Sequence, residues 1–263
     1  MTFCLGIKVT QGLVALADTQ ITKGSECLTK GKLSIFRREP YPLFLMTSGL
    51  RSVRDKAVIY FQEQLEQDNG ELDKLYKAAN AFGAQLRRVA QEDGNALAAS
   101  GLHFNLHAIL GGRLAADHEH SLFLLYPEGN WVEISPGAPY FSIGRTAYGK
   151  PILDRLLQDT CDLPQAISLG YLAFDATHAS VNDVDFPLDV VVYHAQTGTL
   201  REHRFQAAEL ASVSAWWQQQ LASSLAEFPI QWAAPLLNRA ESTAPLSVSL
   251  PPGSAGYDNN GGQ

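Results

Sequence analysis

The sequence predicts an α+β fold in which two antiparallel sheets pack face to face and helices cover their outer surfaces. Three observations carry this. Apolar residues alternate in short runs up to Gly49, then switch to helical spacing from Val53. The order along the chain is strands then two helices, strands then two helices, then a strand pair and a last helix. That order departs from the strict βαβα alternation of a parallel doubly wound sheet and suits two stacked antiparallel sheets. The composition of the 263 residues, 46% hydrophobic and only 18% charged, provides for a large core. Typical soluble chains carry about 25% charged residues, so some of the remaining surface is expected to be covered by subunit contacts.

The elements follow in order. Phe3, Leu5, Ile7 and Val9 alternate with Cys4, Gly6 and Lys8, which predicts a strand starting almost at the N-terminus. Gln11-Gly12 marks a turn, and Leu13 to Ala17 forms a second, wholly apolar strand ending at Asp18. A polar loop is expected next, then a strand from Lys32 to Phe36. After the Pro40-Tyr41-Pro42 break comes Leu43 to Thr47, closing at Ser48-Gly49. Val53, Ala57, Phe61 and Leu65 then define one helix, and Leu72, Leu75, Ala79, Phe82, Leu86 and Val89 a second. Asp68-Asn69-Gly70 is a tight link, so the two helices are expected to be antiparallel. Strand patterns resume over Phe104–Leu114, Ser121–Tyr126 and Trp131–Ser135, with Pro127-Glu128-Gly129-Asn130 as a hairpin turn. Pro151 and Pro164 suit the first turns of two more helices. Pro187–Tyr193 and Leu200–Phe205 form a strand pair about Gly198, and a last helix from about Ala208 carries Trp216, Trp217 and Leu221. From Glu241 the chain is rich in Ser, Pro, Gly and Asn, so residues 1–240 are expected to be the folded domain and 241–263 a loose tail.

Bulk properties exclude several classes. The net charge is −7 without a basic run, which argues against a nucleic-acid partner. Cys4, Cys27 and Cys161 are odd in number and scattered, which fits a reducing cytoplasm rather than a disulfide framework or a zinc site. No stretch reaches the ~18 consecutive apolar residues of a membrane helix. Lys8 and Asp18 interrupt the N-terminus where a signal peptide would be apolar. Asp117-His118-Glu119-His120 has the composition of a metal site, but residues on a strand alternate faces, so only two could converge; a solvated turn is expected. Gly111-Gly112 and Gly149-Lys150 lack the spacing of a phosphate loop, so any ATP-driven activity would be a partner's.

Thr2 is the residue that points to chemistry. Removal of Met1 would leave a hydroxyl and a free α-amine on one residue, a nucleophile with its own base. A nearby ammonium would keep that amine below its ordinary pKa of about 7.7–8.0 and so neutral and basic. The ammonium needs a carboxylate to hold it, and the reaction needs an amide N–H for the developing oxyanion, best placed beside glycine. The opening hairpin returns Asp18 beside Thr2, Lys32 opens the next strand, and Ser48-Gly49 closes the one after it. These positions share one rim of a sheet.

Thr2, the strand Leu13-Val14-Ala15-Leu16-Ala17-Asp18, Lys32-Leu33 and Thr47-Ser48-Gly49 resemble the proteasome-type N-terminal-nucleophile peptidases. Met-Thr-Phe-Cys-Leu-Gly-Ile-Lys at the start is similar to their bacterial Anbu (ancestral β-subunit) branch. So are Tyr148-Gly-Lys-Pro-Ile-Leu-Asp-Arg155, Ala173-Phe-Asp-Ala-Thr177 and Leu188-Asp-Val-Val-Val-Tyr193. The resemblance covers roughly residues 2–235. It implies a four-layer αββα sandwich, Thr2 as nucleophile, Asp18 and Lys32 as its supporting pair, and Gly49 as oxyanion donor. It further implies hydrolysis of peptide or amide bonds through an ester intermediate, with no metal or cofactor, inside a homo-oligomeric ring or open spiral. An ATP-dependent unfoldase as partner is left open. A non-catalytic scaffold subunit and an amidohydrolase acting on small amides are the alternatives. The chain departs from the family pattern at Gln20, where arginine is common, and at Gly144-Arg145, where serine usually follows the glycine. Asp175 is followed three residues on by His178 instead of serine, which leaves Asp175 and Ser180 as the candidate supporting residues.

Overall fold

The computed structural model of the chain describes residues 2–23, 26–29 and 31–237. Met1 and the tail from Glu241 lie outside them. The opening hairpin is β1 (Phe3–Val9) and β2 (Gly12–Asp18), with Cys4 opposite Ala17 and Lys8 opposite Leu13. A short ribbon of β3 (Gln20–Lys23) and β4 (Glu26–Thr29) follows, where the sequence suggested only a polar loop. Then come β5 (Leu33–Phe36) and β6 (Leu43–Gly49). Helices α1 (Arg51–Glu66) and α2 (Leu75–Ala99) precede β7 (Leu106–Gly112), β8 (Ser121–Leu125) and β9 (Trp131–Glu133). A strand absent from the sequence expectation, β10 (Tyr140–Gly144), leads into α3 (Lys150–Leu156) and α4 (Leu163–His178). The chain continues through β11 (Leu188–His194), β12 (Thr199–Phe205), α5 (Ala207–Ala226) and α6 (Ala234–Leu237).

The strands form two five-stranded antiparallel sheets, the first in the order β10-β1-β2-β11-β12 and the second β5-β6-β7-β8-β9. Two-residue periodicity divides each strand between two cores. On β1 and β2, Phe3, Leu5, Ile7, Val14 and Leu16 pack with α3 and α4, while Cys4, Leu13, Ala15 and Ala17 join the layer between the sheets. On β6, Leu43 and Leu45 pack with α1 and α2, while Phe44 and Met46 enter the inter-sheet layer. Both faces of the central strands are therefore dry, which explains why Leu13 to Ala17 is apolar throughout rather than alternating. Each fully buried Leu or Phe contributes about 1.5–3 kcal/mol of transfer free energy.

The helix layers follow from the stripes read in the sequence. Val53, Ala57, Phe61 and Leu65 are the buried residues of α1, and Phe61 packs edge-on between Phe36 and Phe82. α4 starts with a capping box between Asp162 and Gln165, with Pro164 in its first turn. Gly170 brings α4 close to β2, since a Cβ there would lie 2.5 Å from Leu16 Cδ1. The result is the α+β, αββα sandwich. The chain groups into two units, Met1–Ser214 and Ala215–Gln263, with the division inside α5. Among the described residues no helix is long and apolar enough to cross a membrane.

Candidate functional site

Thr2 sits directly ahead of β1 and is 8% exposed. The hairpin register places Asp18, at the end of β2, beside it, and Asp18 is wholly buried. One oxygen of that carboxylate, Oδ1, accepts the Phe3 amide at 2.7 Å; the other, Oδ2, accepts Lys32 Nζ at 2.6 Å. Lys32 is 5% exposed, so this is an ion pair inside the protein and not at its surface. Burial pushes the Asp18 carboxyl up; the Lys32 ammonium and the Phe3 N–H oppose it. Each carboxylate oxygen meets one donor, which offsets part of the cost of burying the charge.

Lys32 is itself fixed from the second sheet. The Thr47 amide of β6 donates to the Lys32 carbonyl at 3.1 Å, and Thr47 Oγ1 lies 3.5 Å from the same oxygen. Gly49 ends β6, exposed, with φ +144°, and a Cβ there would stand 2.1 Å from the Asn105 carbonyl oxygen. Glycine is required at that position by backbone conformation and by the close approach of Asn105. Thus the structure joins Asp18 and Lys32 beside Thr2, and sets Gly49 two residues beyond the Thr47 that holds Lys32.

The supporting residues named from the sequence have other partners. Asp175 Oδ1 accepts from Ser214 Oγ at 3.0 Å, and Ser214 in turn bonds Tyr171 Oη at 2.7 Å. Ser180 Oγ donates to the Ala176 carbonyl at 2.7 Å, an ordinary bond one helical turn back. One residue that the sequence reading did not assign to the site, Arg145, bonds Thr2. The Arg145 amide donates to the Thr2 carbonyl at 2.7 Å, and the Arg145 guanidinium pairs with Asp183, Nη2 to Oδ2, at 2.9 Å. Gly144 permits the approach: its φ is +90°, and a Cβ there would overlap the Thr2 carbonyl at 1.9 Å. The Asp183 carboxyl is held below the usual range by the Arg145 guanidinium. Gly144-Arg145 stood out in the sequence, but without β10 there was no path from it to Thr2.

Cys4 is buried, and desolvation followed by the Asp18 charge pushes its thiol far up, so it is a packed thiol rather than a nucleophile. The segment 117–120 is less solvated than expected. Asp117 Oδ2 accepts the Leu75 and Leu114 amides, and His120 is 5% exposed with Nε2 2.8 Å from the Val9 carbonyl. Among the described residues no three His, Cys, Asp or Glu side chains could jointly hold a metal ion. A cleft of about 630 Å³ is lined by Lys8, Arg113, His118, Glu133 and Asp159 among others, and none of Thr2, Asp18, Lys32 or Gly49 borders it. The buried Asp18–Lys32 pair lies outside this cleft.

Solved structures resemble this chain closely. An Anbu (Gly-1) mutant from Hyphomicrobium sp. strain MC1 is 30% identical, with 87% of this chain and 98% of that chain covered at a TM-score of 0.80. Anbu (ancestral beta-subunit) from Yersinia bercovieri is 28% identical over 86% of this chain and 97% of its own, with a TM-score of 0.79. A structure described as the helical assembly of the Anbu complex from Pseudomonas aeruginosa is 26% identical, covering 86% and 97% at a TM-score of 0.80. No protein-family model matches the chain, and no curated protein does.

Proposed function

The chain belongs to the Anbu family, and from that premise we propose that it is a proteasome-like threonine peptidase or amidase. The observation that carries this reading is Asp18, buried beside Thr2 and bridging the Phe3 amide and Lys32 Nζ at 2.7 and 2.6 Å. Desolvating such an ion pair costs several kcal/mol, so a buried pair beside Thr2 fits a chemical role better than a stabilising one. Once Met1 is removed, the Thr2 amine takes the proton of its own Oγ as Oγ attacks the substrate carbonyl. The Gly49 amide supports the oxyanion, and the Lys32 charge keeps the amine neutral and favours the developing negative charge. The amine then gives its proton to the leaving nitrogen, and an ester on Thr2 remains. Water, deprotonated by the same amine, cleaves that ester and returns Oγ its proton. No metal or cofactor enters these steps.

The working form is a homo-oligomer, an open spiral or ring; support comes from the assembly described for the Pseudomonas aeruginosa relative and from the low share of charged residues. The compartment is the cytoplasm, in keeping with free thiols at Cys4 and Cys161. Intact mass of the protein from its native host tests the first step, and loss of Met1 is expected. The Met1-free protein should be labelled on Thr2 by peptide vinyl sulfones at neutral pH. Lys32→Met should slow that labelling by about 10²–10³-fold, the usual cost of removing a preorganised electrostatic group. Retention of Met1, or labelling of Lys32→Met at the wild-type rate, would refute the reading.

A further inference from the structure

We propose that the cleft of about 630 Å³ beside the far end of β1 from Thr2 binds short peptides whose two termini are free. β1 leads from Thr2 to Lys8 and Val9, which line the cleft. At about 3.3 Å per residue that is roughly 20 Å, so an occupant of the cleft is not a substrate seated at Thr2. The volume suits a molecule of two or three residues, since sites for small ligands run to about 300–1,000 Å³. Buried Ile134 and Pro139 line the same cleft and give an apolar side chain a dry wall.

The polar groups of the cleft select the occupant. Lys8 pairs with Glu119 at 3.0 Å, so those two charges cancel. Arg113, directly after β7, has no hydrogen-bond or ion-pair partner among the described residues, which leaves its guanidinium fork open to a carboxylate. Asp159 and Glu133 supply the opposite charge, each fixed through one oxygen. Asp159 Oδ2 accepts the Gly137 amide at 3.1 Å, and Glu133 Oε1 accepts Ser121 Oγ at 2.7 Å. The second oxygen of each has no partner among the described residues. His120, 5% exposed, adds a neutral acceptor, since burial holds its pKa down. A carbonyl can only accept, so Nε2 carries the hydrogen of the bond to Val9, and Nδ1 is left with a lone pair and no partner among the described residues. The half-used carboxylates and the buried acceptor call for an ammonium, and the open guanidinium calls for a carboxylate. A peptide with free ends carries both. A plain anion would leave the acceptors unmatched, and a plain amine would leave Arg113 unmatched.

The test is calorimetric titration of the full-length protein carrying Thr2→Ala, so that no peptide is cleaved. The probes are the tripeptide Ala-Leu-Ala, its N-acetyl form, its C-amide form and inorganic phosphate. The free tripeptide should bind, and blocking either end should weaken it by about tenfold or more, the weight of one charge-assisted hydrogen bond. Arg113→Gln should weaken the free tripeptide by a similar factor and leave the C-amide form unchanged. Asp159→Asn keeps an acceptor for the Gly137 amide; it should weaken the free tripeptide and leave the N-acetyl form unchanged. A general loss of structure would instead weaken every form alike, and the comparison of free with blocked peptides needs no variant in the cleft. Equal binding of free and blocked forms, or no binding of the free tripeptide at about 10 mM, would overturn the inference. Tighter binding of phosphate than of the tripeptide would overturn it in favour of a plain anion site. No arm depends on the reactivity of Thr2, so failure here leaves the proposed function intact, and failure of Thr2 labelling leaves this inference standing.

Discussion

Asp18 does two things at once, and they can be separated by mutation. Its Oδ1 closes the hairpin onto the Phe3 amide, and its Oδ2 neutralises Lys32 in a place that water does not reach. Removing one member of a buried pair leaves the other charge uncompensated, at a cost of about 3–5 kcal/mol. Lys32→Met should therefore lower stability by that order, measured by urea unfolding. Adding Asp18→Asn removes the stranded charge while keeping an acceptor for the Phe3 amide, and should recover most of the loss. Labelling of Thr2 should stay slowed by about 10²–10³-fold in the double variant. Such a split, stability regained and reactivity not, distinguishes a pair kept for chemistry from one kept for packing. Gly49 is bound by a different constraint. Gly49→Ala would need a φ of +144° and an overlap with the Asn105 carbonyl, so local distortion at the end of β6 should reduce labelling by tenfold or more.

At the scale of elements, one clamp joins the sheets at the end away from Thr2. His120, entering β8 of the second sheet, reaches the Val9 carbonyl of β1 in the first, with its ring beside Tyr193 at 6.1 Å. Burial, with help from Lys8 and Arg113, holds the His120 pKa below its ordinary 6.5, while the Val9 carbonyl and Glu119 oppose. The unfolded chain thus takes up the proton more readily than the folded one. Stability from this site is complete above about 6.5 and is lost as pH falls below it. The melting temperature of wild type should drop more steeply between about pH 7.5 and 5.5 than that of His120→Gln, and equal slopes would remove His120 from the account. The same elements explain what the sequence could and could not disclose. β1, β2, β5 and β6 were legible because neighbouring strands with clear apolar patterns define them, and Asp18 and Lys32 came with them. β10 was not, since Tyr140, Phe141 and Ser142 are only half-buried on an edge strand whose partner is β1, far back in the chain. The β3–β4 ribbon stands apart from both large sheets and gave no strand signal in a polar stretch. The link of Arg145 to Thr2 and to Asp183 was hidden for the same reason, as nothing local brings a residue after β10 to one between α4 and β11.

For the whole molecule, the decisive fact is that the candidate site is divided between two sheets. Thr2 and Asp18 ride on the first, while Lys32 and Gly49 belong to the start of β5 and the end of β6 in the second. Their relative placement depends on the layer between the sheets, where Phe44, Met46 and Ile109 meet Cys4, Ala15, Ala17 and Tyr193. Phe44 is wholly buried there, and Gly111 makes room for its ring. Phe82 is equally buried but lies in the outer core between the second sheet and its helices. Phe44→Leu and Phe82→Leu remove similar buried surface, and each should cost on the order of 1–2 kcal/mol. Their effects on chemistry should differ. A displacement of about 1 Å between reacting groups can cost as much as 10²-fold in rate, and only the inter-sheet substitution shifts one half of the site against the other. Phe44→Leu should slow Thr2 labelling by about tenfold or more at a temperature where the protein is fully folded, with Phe82→Leu within about twofold of wild type. Equal slowing in both variants would mean that general loosening, and not the alignment of two sheets, limits the reactivity of Thr2.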